Sequence, residues 1–494
     1  MSLQRYRAFA LRKLASIPGR YLPFADVATE EVPLSRLLRL SLFQVTVGMA
    51  LVLLVGTLNR VMIVELQTPA TLVAGMLALP LLFAPLRTLI GFRSDTHRSA
   101  LGWRRTPYIW KGTLYQFGGF AIMPFALLVL SGYAEAIDAP RWWGLSTAAL
   151  SFLLVGAGLH MVQTVGLALA TDLVPEEDHP KVVGLMYVML LVGMVVSALV
   201  YGALLETYSP GRLIQVIQGS AVVTVAVNLF AMWKQEARDR DRALAMQTTR
   251  HPSFGEAWTA LVAQPGMIRL LVVIGLGTFG YGMADVLLEP YGGQALGFSV
   301  AETTRLTALL AGGTLAGFGL ASRLLGAGGD PARLGRIGAG IGIPGFAAII
   351  LSSSVLGAPL FLAGVLATGV GAGLFGHATL TATIRAAPAE RTGLSLGAWG
   401  AVQATCAGIG VALAGVVRDV LVGLDGSVAG LPAHAPYNVV FGIEIVFLAL
   451  AVLVALPLSL RGAARARRRM PPEATLRQTP QIAAEARPNP VEVP

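Results

Sequence analysis

The feature that most constrains this chain is the recurrence of apolar blocks of about 20 residues or more, each long enough at 1.5 Å per residue to cross a hydrocarbon layer of about 30 Å. Twelve blocks are marked by the sequence, at residues 37–65, 69–90, 108–131, 143–171, 181–205, 211–233, 267–289, 301–325, 334–353, 358–384, 392–421 and 437–460. Hydrocarbon offers no water to satisfy backbone N–H and C=O groups, so such blocks are expected to be helices. Across 494 residues the chain is 55% hydrophobic and 13% charged, with a mean hydropathy of +0.67. An average soluble domain is roughly 25% charged, and no soluble core hides this much apolar surface. The expected fold class is an all-α integral membrane protein with twelve transmembrane helices.

The 57 glycines sit within the apolar blocks, where small residues let helices approach closely. The single cysteine, Cys406, lies in such a block without a second cysteine, which excludes a disulfide and a thiolate metal site within one chain. A net charge of +10 would suit nucleic acid only if the basic residues formed a soluble patch. Instead they alternate between connections. With the N-terminus inside, Arg87, Arg93, Arg98, Arg104, Arg105 and Lys111 fall in or beside the second-to-third connection, Arg238, Arg240 and Arg242 in the middle one, and Arg465, Arg467, Arg468 and Arg469 in the tail. The opposite connections carry little, such as Arg141 near Glu135 and Asp138. The positive-inside rule then places both termini in the cytoplasm, with the lipid bilayer rather than nucleic acid as the counter-charge.

The chain divides accordingly into a basic segment 1–36, a six-helix half 37–233, a central loop 234–266, a second six-helix half 267–460, and a tail 461–494 that is first basic and then Pro-rich and polar, with the expectation of disorder. Residues 1–20 lack an uninterrupted apolar run and a cleavage site, so the first hydrophobic helix is expected to act as the insertion signal. Leu3, Tyr6, Ala10, Leu14 and Ile17 recur at helical spacing opposite most of the basic residues. Both an interfacial helix and a disordered basic tail fit that pattern. Phe254, Trp258, Leu261 and Val262 suggest a short interfacial helix in the central loop.

Two echoes relate the halves. Val155–Leu159 and Val370–Leu374 both read VGAGL, each followed closely by a histidine, His160 and His377, and later by a Gly-Leu pair, Gly184-Leu185 and Gly393-Leu394. Met62–Glu65 and Val286–Glu289 are each three apolar residues and a glutamate. Their matching order favours a parallel duplication of six helices, as in major facilitator transporters.

Gly91, Asp95 and Gly102, followed by Arg104 and Arg105, resemble the loop signature of the major facilitator superfamily. A carboxylate at a helix terminus accepts hydrogen bonds from backbone donors or a guanidinium and so can bridge elements that slide during gating. The spacing from Asp95 to Gly102 is longer than usual, and the matching stretch Gly317–Arg323 has no aspartate. Gly275–Gly280 and Gly340–Gly345 fit G-x-G-x-x-G, and Gly393–Gly397 fits G-x-S-x-G. All three belong to hydrophobic helices without the strand-turn-helix context of nucleotide binding or acyl transfer, and helix packing explains them. The chain carries no P-loop and no H-E-x-x-H, and a non-enzymatic role is expected.

His160 and His377 lie about 26 to 29 Å along their helices, at similar depth. A neutral imidazole can be an axial ligand for a metal chelated in a tetrapyrrole such as magnesium in a chlorin, or it can simply bond a neighbouring helix; both readings stay open. Asp285 and Glu289 stand one turn apart on the seventh helix, with Glu65 in the matching part of the first; Gln44, Gln163 and Glu444 are further polar residues inside apolar blocks. Carboxylates near an interface either reach water or serve a gate or coupling-ion site.

Longer motifs carry a more specific resemblance. Leu22–Ala28 (LPFADVA), Leu37–Met49 (LLRLSLFQVTVGM), Gly56–Met62 (GTLNRVM), Arg93–Trp103 (RSDTHRSALGW), Gln163–Ala170 (QTVGLALA), Asp285–Gln294 (DVLLEPYGGQ) and Leu396–Thr405 (LGAWGAVQAT) closely resemble the bacteriochlorophyll delivery (PucC/LhaA) family, a branch of the major facilitator superfamily, over about residues 22–460. The resemblance implies an assembly factor for photosynthetic light-harvesting complexes in a bacterial inner or intracytoplasmic membrane. It implies transient bacteriochlorophyll, with carotenoid as a second pigment, and as partners the antenna α and β polypeptides, the reaction centre, bacteriochlorophyll synthase and the protein translocation machinery. Within the family, Lys111-Gly112-Thr113 and the long polar tail look more like the LhaA type, which serves the core antenna, than the PucC type, which serves the peripheral antenna. The rival expectations are a proton-coupled transporter of a small solute and a pigment-free scaffold for antenna helices, for which the Gly369–Gly373 face offers close helix contact.

Overall fold

The computed structural model describes residues 32–82, 90, 94, 103, 105–132, 138–175, 178–236, 259, 262–355, 357–386, 392–425 and 432–469. Twelve helical segments run through them: α1 Leu34–Glu65, α2 Ala70–Leu82, α3 Thr106–Ser131, α4 Arg141–Asp172, α5 His179–Leu204, α6 Pro210–Met232, α7 Met267–Leu296, α8 Val300–Gly326, α9 Pro331–Ser352, α10 Gly357–Ala386, α11 Thr392–Asp425 and α12 Ala435–Arg469. All but α2 are long and apolar enough to cross a membrane, and α2 is described over a shorter apolar stretch. The expected interfacial helices at the N-terminus and in the central loop, and the Pro-rich tail, lie outside the described residues except for Val262.

The helix limits follow local chemistry. Ser209 and Asp330 accept hydrogen bonds from the backbone N–H groups of Arg212 (3.1 Å) and Ala332 (3.1 Å) at the starts of α6 and α9. Ser299 and Glu302 form a reciprocal capping box at the start of α8. At the far end of the chain, α12 continues past residue 460 to Arg469. The sequence reading ended that helix where the apolar run stops, but Ala463, Ala464, Ala466 and the arginines after them are strong helix formers and extend it. Exposed Trp142 and Trp143 at the start of α4 and Trp233 after α6 mark the two ends of an apolar outer surface that includes Phe125, Val222, Ile268 and Leu453. Aromatic rings at both ends of an apolar belt are the pattern of a bilayer-spanning bundle.

Helix pairing repeats with a shift of six. The pairs α1–α5, α1–α6, α2–α4, α3–α4 and α3–α6 recur as α7–α11, α7–α12, α8–α10, α9–α10 and α9–α12, while α2–α11 and α5–α8 join the halves. This is the duplication that the VGAGL echo pointed to. The glycine motifs serve it as expected: Gly277 packs on Phe375, Gly280 on Leu448 and Gly345 on the Thr368 backbone. The Gly369–Gly373 face, considered above for antenna helices, is already occupied. Gly369 and Gly373 press against Leu310 and Thr314 of α8.

Two helices depart from regular α geometry, and both border the centre of the molecule. In α1, Val52–Leu58 and Val61–Glu65 are π-helical, a form that costs regular hydrogen bonding and clusters at functional positions. In α7, the helix is interrupted at Met283, where Glu444 of α12 accepts a hydrogen bond from the freed Ala284 N–H at 2.5 Å.

A cavity between the halves

The odd-numbered-to-even connections α1–α2, α3–α4, α5–α6, α7–α8, α9–α10 and α11–α12 lie at one end of the bundle, and the remaining connections, with Arg105, Asp172 and Arg385, at the other. The first end is sealed by contacts that cross between halves. Asn59 of α1 donates to the Val286 carbonyl (2.8 Å), Arg60 to the Phe298 carbonyl (3.0 Å), and the hydroxyls of Thr57 and Thr304 lie 3.2 Å apart. Thr71 of α2 donates its backbone N–H to Asp419 of α11 at 2.7 Å, and Asp419 also pairs with Arg418 at 2.8 Å. Gly415 makes this crossing possible, because a Cβ there would lie 2.7 Å from the Ala70 carbonyl oxygen.

Towards the other end the halves separate and enclose a cavity of about 890 Å³, near the upper end of the roughly 300–1,000 Å³ typical of ligand pockets. One wall comes from α4 and α5, with His160, Gln163, Thr164 and Thr171 placed along successive turns of α4. The facing wall is aromatic. Tyr281, Phe346 and Phe375 form a cluster with ring centroids 6.2 Å from Tyr281 to each partner, and Trp399 meets Tyr187 across the halves at 6.3 Å. Asp285 is exposed into the cavity beside the α7 interruption, and Gln403 adds an amide from α11. Such a cavity offers an apolar wall of aromatic rings tilted by 41° and 50° to Tyr281, one imidazole, one carboxylate and several amide and hydroxyl groups. These suit a large planar apolar molecule with a metal centre and peripheral carbonyls.

The structure separates the two histidines. Gly156 and Gly158 let α4 lie against Pro80 of α2 and Gln116 of α3, and His160 turns to the cavity. His377 does not line it: its ring packs on Phe318 of α8 with centroids 4.0 Å apart. The reason was visible in the echo itself. His160 follows VGAGL directly, whereas His377 follows it by three residues, and two extra positions at 100° each turn a side chain by about 200°. The residue equivalent to His160 is Phe375, which does line the cavity.

The carboxylates also part company. Asp285 reaches the cavity, Glu289 is buried between halves with the Thr307 hydroxyl donating to it, and Glu65 pairs with Arg60 at the sealed end. Gln163 lines the cavity; Glu444 caps α7, and Gln44 is buried in α1 away from the cavity. Of the loop motif, Gly91, Asp95, Gly102 and Arg104 lie outside the described residues. Arg105 donates to Asp172 (3.1 Å) and Ser94 (2.7 Å), and the backbone N–H groups of Arg105 and Thr106 are held by Glu236 at 2.8–3.1 Å. This network ties the start of α3 to the ends of α4 and α6, all in the first half. Sequence reading missed Asp172, Glu236, Tyr187, Tyr281, Phe375 and Trp399; Phe375 had a signal in its register with His160, and Trp399 in its place within the Leu396–Thr405 motif.

Fold and cavity together define a membrane protein of the major facilitator type. The crystal structure of a bacterial homologue of the iron transporter ferroportin, in its inward-facing state, superposes with a TM-score of 0.62 at 16% identity, covering 85% of this chain and 97% of that one. The chain is also 70% identical over 459 residues to Protein PucC of Rhodobacter capsulatus, covering 92% of this chain and 99% of that protein. Protein PucC of Rhodovulum sulfidophilum is 62% identical, with coverages of 84% and 92%. Residues 57–463 match the PUCC protein family, and the chain belongs to that family.

Proposed function

We propose that this protein is an assembly factor for photosynthetic light-harvesting complexes that holds bacteriochlorophyll in the cavity between its halves and passes it to antenna α and β polypeptides in the bilayer. The observation that carries the reading is the cavity of a PUCC-family chain: an imidazole on one wall faces an aromatic surface on the other. His160 would ligate the magnesium, the tilted rings of the Tyr281–Phe346–Phe375 wall would pack against the macrocycle, and Gln163 and Gln403 would donate to its carbonyls. The pigment supplies the light-absorbing chemistry; the chain supplies orientation and exclusion of water. The same space accepts a carotenoid only as a weaker guest, since that molecule has no metal for His160.

The location follows from this role. The protein resides in a bacterial inner or intracytoplasmic photosynthetic membrane, with the end that carries Arg105 and Arg385 in the cytoplasm, near the reaction centre, bacteriochlorophyll synthase and the translocation machinery. Lys111-Gly112-Thr113 and the tail point to the core antenna as client, but 70% identity across 92% of the chain to a protein named PucC outweighs three residues and a tail. The peripheral antenna is therefore the preferred client.

Absorption of the purified protein tests pigment binding: bacteriochlorophyll is expected to co-purify and to be lost in His160→Leu. A colourless wild-type protein, or unchanged pigment in the variant, removes the reading. Deletion of the gene is expected to lower the peripheral antenna band while pigment synthesis continues. Normal antenna bands in that strain count against an assembly role, and selective loss of the core band would assign the core antenna as client.

A further inference from the structure

An imidazole ligates magnesium or iron in a tetrapyrrole, and aromatic rings pack against any macrocycle. His160 and the Tyr281–Phe346–Phe375 wall therefore suit a class of molecule and not one member of it. Members of that class differ in charge. In the precursors of a finished chlorin pigment a propionate of the macrocycle is a free carboxylate, and in the pigment itself that group is an uncharged ester. Haem keeps its propionates free.

The wall against which such a macrocycle would pack is acidic. Among the described residues that line the cavity, Asp285 is the one acid, and none is a lysine or arginine. Asp285 is exposed into the cavity and lies four residues beyond Tyr281 on α7, so a macrocycle packed on that ring lies beside the carboxylate. A second carboxyl group stands behind it. Glu444 is fully buried and holds the Ala284 N–H through one oxygen, while its other oxygen has no hydrogen-bond partner among the described residues. Glu289, one turn further along α7, adds a third carboxyl group, again with one buried oxygen unpartnered. At the sealed end Arg60 is already engaged by Glu65 and the Phe298 carbonyl. No described cation lines the cavity to neutralise a further anion on this wall.

Resting on the proposed pigment site, we infer that Asp285 makes the cavity selective for uncharged, esterified tetrapyrroles and rejects those that carry a free propionate. A carboxylate that leaves water for an apolar cavity needs a cation or a set of donors, and here it meets a like charge instead. At an effective dielectric of about 20, two unit charges about 10 Å apart repel enough to lower affinity about tenfold. An ester carbonyl meets no such penalty, and the amides of Gln163 and Gln403 are donors for it. The order of events follows from this selection. The reaction that supplies the cargo is an esterification of the macrocycle's propionate, and the pigment enters the cavity after that step. Asp285 thus reads whether the pigment is complete, which His160 cannot do, because an imidazole ligates the metal of acid and ester alike.

Bacteriochlorophyllide and its methyl ester isolate the charge, since both lack the long hydrocarbon tail and differ in whether a methyl group caps the propionate. Each is titrated into the purified full-length protein in micelles, with binding read from the shift in pigment absorption and from quenching of tryptophan fluorescence. The wild type is expected to bind the methyl ester about tenfold more tightly than the acid. Asp285→Asn keeps the shape and removes the charge. It is expected to strengthen the acid about tenfold and to leave the ester within about twofold, the latter also showing that the variant is folded. Partition into the micelle is common to both proteins, so a change between them belongs to the protein. Equal binding of acid and ester by the wild type overturns the selection and leaves the pigment site standing. An unchanged gap in Asp285→Asn, or loss of the ester as well, overturns the role of Asp285 as a charge filter. If neither chlorin binds the wild type, the pigment site fails and the selection fails with it.

Discussion

The two halves share their helix pairing but not their use of it. With Met62–Glu65 registered on Val286–Glu289 and Gly184-Leu185 on Gly393-Leu394, four pairs of positions differ in chemistry between the halves: Gly48 against Val272, Gly193 against Val402, His160 against Phe375, and exposed Glu65 against buried Glu289. Duplication fixed which helices touch, because ridge-and-groove packing tolerates many side chains. What lines the space between them was free to diverge. The first half thus supplies an α1–α5 seam closed backbone to backbone and a polar cavity wall, and the second supplies an α7–α11 seam packed through side chains and an aromatic wall.

The largest way to break this comparison is to exchange the seams. Gly193→Val introduces a Cβ that meets backbone, not a side chain that can rotate away, so α1 and α5 must separate. Overpacking costs roughly 1–3 kcal/mol and more where backbone must shift, and thermal unfolding in micelles is expected to show about 3 kcal/mol or more of destabilisation. Val402→Gly, the reverse exchange, is expected to cost about 1–2 kcal/mol, from the lower helix propensity of glycine and the lost packing of a partly buried side chain. Equal losses for both would mean that the two seams are not distinct in packing.

Next in size is the carboxylate pair. Glu65 is 37% exposed but holds the Arg60 guanidinium, which is only 4% exposed and also donates to the Phe298 carbonyl. Glu65→Gln leaves a buried cation short of its counter-charge, and a loss of about 1–2 kcal/mol is expected, reduced from a fully buried pair by the exposure of Glu65. In Glu289→Gln the amide carbonyl still accepts from Thr307, and a loss below about 0.6 kcal/mol is expected, near the average for interhelical polar contacts in membranes. The reverse ranking, read as shifts in unfolding temperature, would show that burial and not the ion pair governs the sealed end.

Much of this was legible in the sequence. Several spans were found within a few residues, since α4 was read as 143–171 and runs Arg141–Asp172, and α10 as 358–384 and runs Gly357–Ala386, whereas α7, read to 289, runs to Leu296, and α12, read to 460, runs to Arg469. Length and apolarity dictate such elements almost alone. The duplication showed in VGAGL and in the paired glutamates. Side-chain facing was the weak link: the two histidines share depth, but depth is a count of residues and facing is an angle, so an offset of two was enough to separate them. Arg105 shows a second limit. Its partners Asp172 and Glu236 are 67 and 131 residues away and carry no local motif. The valine pair becomes readable only once the pairing of α7 with α11 is known.

The smallest expected effect is at His377, and it sharpens the comparison most. Its ring rests on Phe318, and its Nδ1 is buried without a hydrogen-bond partner among the described residues. His377→Leu keeps an apolar contact with Phe318 and removes a polar atom that gains nothing there, so stability is expected to change by no more than about 1 kcal/mol. Pigment bound by the purified protein is expected to stay at the wild-type level, while His160→Leu abolishes it. Loss of pigment in both variants would mean that a chlorin reaches past Phe375 to the α8–α10 contact, and the division of labour between the halves would have to be redrawn around two ligands instead of one.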